Sequence, residues 1–102
     1  MRLSDDNLRG RTVISADGEV VGEISRLFLD SDAWRIESLL VTLRKDIADR
    51  LGAHRTVFHA GEVEVPILMI QSVGATVVLS VPVDGLRPVV PGEQVQEQAR
   101  PT

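Results

Sequence analysis

The sequence predicts a small β barrel or sandwich, and three observations carry that prediction. Val13-Ile14 and the segment from Glu19 are strand-like runs separated by Asp17-Gly18, a pair that accepts the positive φ angles a tight primed hairpin turn demands. Apolar residues make up 43% of the chain and are aliphatic rather than aromatic, with Trp34, Phe28 and Phe58 as the three aromatic side chains, and β-branched richness favours strands. A length of 102 residues is one domain's worth, enough for a single core.

Asp5-Asp6-Asn7-Leu8 reads as a lead-in to a first strand at about Thr12 to Ser15. The next strand, Glu19 to Asp30, is long and changes phase. Val20, Gly22 and Ile24 share one side, whereas Leu27 and Leu29 take the opposite parity with Phe28 between them. A phase switch inside one strand predicts a bulge or strong coiling, and Gly22 suits the bend. Asp30-Ser31-Asp32-Ala33 is a polar turn. Trp34 to Arg44 is the clearest strand: Leu39, Val41 and Leu43 alternate against Leu40 and Thr42, while Trp34 and Ile36 lie on the other parity. A second bulge near Ser38 reconciles the two phases.

Lys45 to Thr56 breaks the β pattern. Asp46 caps a short helix in this reading, Ile47 and Leu51 fall four apart on one face, and Gly52 fits the position just beyond the end. One or two helical turns are expected. Val57-Phe58 and Val63-Glu64-Val65 read as short strands on either side of His59-Ala60-Gly61. Pro66 marks an edge position or a strand start, because it cannot donate to a ladder. Leu68 to Val73 fits a helical turn or a strand. Thr76 to Val81, with Val77-Val78-Leu79 apolar on both faces, is expected to be a central strand, and Asp84-Gly85-Leu86 a brief helical turn. From Pro88 to Thr102 the composition shifts to Pro, Gln, Glu and Gly, from which no core is built. The expected organisation is one domain over 1–87 and a flexible tail over 88–102.

Composition excludes more than it assigns. Net charge is −4 and Lys45 is the sole lysine, which weighs against nucleic acid as a partner, since phosphate binding relies on dense cationic surfaces. Arg2, Arg9 and Arg11 form the one local basic group. With no cysteine there are no disulfides, thiolate metal sites or cysteine nucleophiles. Met1-Arg2-Leu3-Ser4-Asp5-Asp6 carries no apolar segment after its charge, so no secretory signal is expected. The longest apolar stretch, Val65 to Ile70, falls far short of the ~18 residues of a membrane helix. Cytoplasmic residence is the default expectation.

Reactive groupings are sparse. His54 and His59, five residues apart, lack the i, i+4 spacing of a helical metal pair and are read as exposed loop residues. Asp30 and Asp32 resemble the first ligands of a calcium loop. However, Arg35 stands where such a loop needs glycine and Val41 where it needs glutamate, so a polar turn is expected. Ser25, Ser38, Ser72 and Ser80 stand in no Gly-x-Ser-x-Gly setting. Gly18 and Gly22 open no phosphate-binding helix. Asp46, Asp49 and Arg50 read as a solvated helix face, and Trp34 as a core anchor rather than an interface hot spot. No catalytic, cofactor-binding or metal-binding residue is assigned, and no cofactor is expected. The segment Val63 to Val83 is so aliphatic that it leaves either a fully packed interior or an apolar patch or strand edge open to a second subunit.

Leu8 to Asp30 resembles the opening pattern of the PRC-barrel family. The likeness continues through Ile36, Leu39 and Val41 and again through Val73-Gly74-Ala75-Thr76-Val77-Val78-Leu79, so it covers Leu8 to about Leu86. Ala48 to Gly52 is similar to an insertion in stand-alone, archaeal-type members, whereas Arg26 departs from a position that is often acidic. The resemblance implies an all-β fold, a small, strongly bent PRC-type barrel of about six strands with one or two short helical turns. Members include the cytoplasmic domain of a photosynthetic reaction-centre subunit and the carboxy-terminal domain of a ribosome-maturation factor. The implied role is docking to proteins, with no shared catalytic residues. The expectation is therefore a non-enzymatic, soluble adaptor that self-associates as a homodimer and docks a protein partner of unknown identity, with no membrane span. The alternative is an accessory in ribosome or RNA maturation, carried by Arg2, Arg9 and Arg11. A small enzyme would have to rely on His54 and His59.

Overall fold

The computed structural model describes residues 2–52 and 61–87. A short helix α1 (Asp5–Leu8) is followed by strands β1 (Thr12–Ile14), β2 (Val20–Asp30) and β3 (Arg35–Leu43), helix α2 (Lys45–Leu51), and strands β4 (Glu62–Pro66), β5 (Ile70–Val73) and β6 (Val77–Leu79). The strands form one sheet in the order β4-β3-β2-β1-β6-β5. All pairs are antiparallel except β1 with β6.

The two edge strands of this sheet are consecutive in the chain. In a flat six-stranded sheet they would lie about 24 Å apart, yet Pro66 at the end of β4 and Ile70 at the start of β5 are joined by the 3-10 turn Ile67–Met69 alone. Four Cα steps span at most ~15 Å. The sheet must therefore curl until its edges approach, which gives the barrel-like shape. No ladder joins β4 to β5, so the barrel is not closed.

Bulges supply the curvature. Along β2, Val21 is skipped opposite β1, and Ser25 is skipped between the pairs Ile24 with Val41 and Arg26 with Leu40. On β3, Glu37 is skipped between the pair Ser38 with Phe28 and the pair Ile36 with Leu29, one residue from the bulge expected near Ser38. Each skipped residue shifts the alternation by one, so β2 feeds the core with Val21, Ile24 and half-buried Leu27 at intervals of three instead of two. The Ser25 hydroxyl donates to the Leu40 carbonyl at 3.1 Å across the bulge. Val13, Val41, Val63, Val65, Val77 and Leu79 complete the interior.

The lead-in is helical. Asn7 N donates to Ser4 Oγ at 3.2 Å and Ser4 N to Asn7 Oδ1 at 3.1 Å, a reciprocal cap that satisfies backbone groups a four-residue helix otherwise leaves open. Its last residue, Leu8, is buried in the core. Helix α2 buries Ile47 and Ala48 and ends at Gly52, whose φ of 70° is the left-handed conformation expected there. Asp46 does not cap it: Arg44 holds the cap position without a side-chain bond, and Asp46 sits in the first turn, 3.3 Å from Arg44 Nε.

The β1–β2 turn also differs from expectation. Gly18 N donates to the Ser15 carbonyl at 3.0 Å, and Gly18 has φ +84° while Asp17 does not take positive φ. The connection is thus a type I turn followed by a left-handed glycine, not a two-residue primed turn. Leu68 to Val73 resolves into the 3-10 turn and β5 together, and Val77–Leu79 lies inside the sheet as expected. Val57-Phe58, the two histidines and the tail 88–102 lie outside the described residues.

Candidate interaction surface

Several polar side chains singled out in the sequence are committed to structure. Asp30 Oδ1 accepts from Asp32 N at 2.9 Å and from Ala33 N at 3.3 Å, which makes the first of the calcium-like aspartates the scaffold of a turn. Ser38 Oγ, on a buried residue, donates to Glu64 Oε2 at 2.6 Å, and Ser80 Oγ to the Met69 carbonyl at 3.1 Å. Among the described residues no three His, Cys, Asp or Glu side chains gather as a metal cluster, and no helix is long and apolar enough to cross a membrane. His54 and His59 lie outside the described residues.

Two residues of the basic group, Arg9 and Arg11, are likewise engaged. Arg9 Nη2 lies 3.0 Å from Asp5 Oδ2 and 3.5 Å from Asp6 Oδ1, and the Arg11 guanidinium donates to the Gly74 carbonyl, tying β1 to the β5–β6 turn. Arg50 is no simple solvated charge. Its Nη1 reaches both Glu19 carboxylate oxygens at 2.8 Å, and its Nη2 lies 3.4 Å from Asp84 Oδ1. Those contacts, the Glu19 hydrogen bonds foremost, raise its already high pKa. Arg50 thereby links α2 to the β1–β2 connection and to the 3-10 turn Val83–Gly85. In that connection the Ser15 hydroxyl bonds the Asp17 carboxylate and holds it below the usual carboxylate range.

Several large apolar side chains are exposed. Trp34 is 78% exposed, contrary to its reading as a core anchor, because it belongs to the β2–β3 turn and not to the strand. Its backbone donates to the Asp30 carbonyl at 2.7 Å with φ +54°, the left-handed region that bulky residues avoid. Leu29 is 51% exposed, Ile67 40% and Leu68 91%. The register sets these four around one end of β3, the strand that Trp34 directly precedes. Leu29 pairs with Ile36 on β3, and Pro66 pairs with Ser38 on the other side of β3, so Ile67 and Leu68 run on beside the stretch of β3 that Leu29 flanks. Of the aliphatic segment Val63 to Val83, therefore, the strand residues pack inside while Ile67 and Leu68 do not.

Strand pattern alone misses this surface. The one signal available was the apolar pair Ile67-Leu68 directly after Pro66, where the chain leaves the ladder. The family model described as PRC-barrel domain matches residues 2–86 of the chain. No curated protein matches it.

Proposed function

The chain belongs to the PRC-barrel family, and from that premise we propose that it is a non-enzymatic, cytoplasmic protein-interaction module that self-associates and docks a protein partner through its outer surface. The observation that carries this reading is the gathering of Leu29, Trp34, Ile67 and Leu68 in solvent on a domain whose other large aliphatic side chains are mostly packed. Hydroxyl and carboxylate groups at Ser15, Asp17, Ser38 and Asp30 are taken up by turns and ladders, which supports a binding role over a chemical one. Absence of cysteine from the sequence fits a reducing compartment.

Sedimentation equilibrium from low to high micromolar concentration tests the association: a dimer whose fraction grows with concentration is expected, and a monomer throughout overturns it. For the partner, cross-linking in cells followed by mass spectrometry is expected to give heterologous cross-links. The non-enzymatic reading predicts that a His54→Ala, His59→Ala double variant keeps the cellular function, and loss of function in a folded double variant overturns that part.

A further inference from the structure

We propose that the β2–β3 turn and the adjoining 3-10 turn Ile67–Met69 form the face on which two copies of this chain meet, with Trp34 at its centre. The inference rests on the self-association reading above and assigns it a surface.

Three features converge there. The apolar content is concentrated in Trp34, Leu29, Leu68 and Ile67, and an aromatic residue surrounded by aliphatic ones is the usual composition of an interface centre. The conformation of Trp34 is unfavourable for its own fold, since a bulky residue with φ +54° is strained where asparagine or glycine would be relaxed. The side chain gains nothing in return from the monomer, being 78% exposed.

Charge selects the occupant. Around Trp34 lie Arg35, Asp32 and Glu37, all exposed. The ion pairs of the described residues use Arg9, Arg44 and Arg50 instead, so these three charges have no ion partner among the described residues. One patch thus carries a cation and two anions on either side of an aromatic residue. An isologous contact presents the same patch to itself, so that residue i meets residue j twice. Turned about a two-fold axis near Trp34, Arg35 of each copy faces Asp32 and Glu37 of the other. A surface complementary to a purely acidic or purely basic partner would carry one sign only.

The test uses the full chain and analytical ultracentrifugation, with thermal unfolding as the fold control. Trp34→Asn and Leu68→Ser are expected to weaken self-association about thirtyfold or more while the fold is kept. Arg35→Glu alone and Asp32→Arg with Glu37→Arg are each expected to be monomeric, and an equimolar mixture of the two is expected to dimerise, because opposite charges then face each other at both contacts. Wild-type dimerisation by Trp34→Asn and Leu68→Ser overturns this surface and leaves self-association standing on another one, such as the β4 or β5 edge. Failure of the charge-swapped mixture to associate overturns the pairing. A wild-type chain that is monomeric at all concentrations overturns both this inference and the reading it rests on.

Discussion

Gly22 passes so close to Thr42 that a Cβ on the glycine would stand 1.9 Å from the Thr42 carbonyl oxygen and 2.8 Å from its carbonyl carbon. The obstacle is backbone on the neighbouring strand, which no rotamer change relieves. Gly22 also has a strand on each side, paired with Val13 on β1 and Leu43 on β3. Gly22→Ala is therefore expected to destabilise the domain by about 3 kcal/mol or more. Urea denaturation measures this, and a loss below about 0.5 kcal/mol would contradict the close crossing of β2 over β3.

Trp34→Asn is expected to stabilise the monomer by about 1 kcal/mol, because asparagine tolerates the left-handed region and an exposed indole contributes little packing to forfeit. Thermal unfolding must be read at a concentration low enough that association does not support the wild-type protein by mass action. A destabilised variant would mean that the indole is packed against the chain.

Asp17 makes stability depend on pH in a defined direction. Its carboxyl is held below the usual carboxylate range chiefly by the Ser15 hydroxyl, so the folded state binds its proton less readily than the unfolded chain. The associated stabilisation is complete above the unfolded value near ~4 and is lost as pH falls through the lower, folded one. An NMR titration is expected to show the Asp17 midpoint rising toward the ordinary value in Ser15→Ala, with an unchanged midpoint counting against the hydroxyl as the cause.

The amino-terminal helix is a structural part of the domain. Leu8→Ala is expected to cost about 2–4 kcal/mol, as for other buried leucines, and Ser4→Ala about 1 kcal/mol through loss of the cap. If Leu8→Ala unfolds at the wild-type midpoint, α1 is not docked.

Where a residue's neighbours in sequence decide its conformation, the sequence was readable. Gly52 ends α2 in the left-handed region, the long strand after Glu19 carries the bulge its phase switch required, and Val77-Val78-Leu79 fills an interior strand. Errors arose where partners distant in sequence decide. Val21 reaches the core because β1 skips it, which no alternation within β2 reveals. Arg50 is exposed as expected, but its ion pairs with Glu19 and Asp84 escape the sequence because those partners are remote in the chain. Trp34 reads as the start of a strand because indoles favour strands and interiors, a preference the Asp30 turn overrides. The candidate surface is the least legible part, since it joins a hairpin tip and a 3-10 turn that meet only through the pairing of β2 and β4 on either side of β3.

The β1–β6 pairing sets an order of assembly. Strands β1 to β4 form a continuous meander of neighbours, a register that local zippering can complete in sequence. β1 nevertheless keeps one side bare until Val77–Leu79, the last described strand, arrives to lie parallel to it. In any partial chain that ends before Val77, then, β1 stays half-sheathed, and the final strand acts as the latch that ends its exposure.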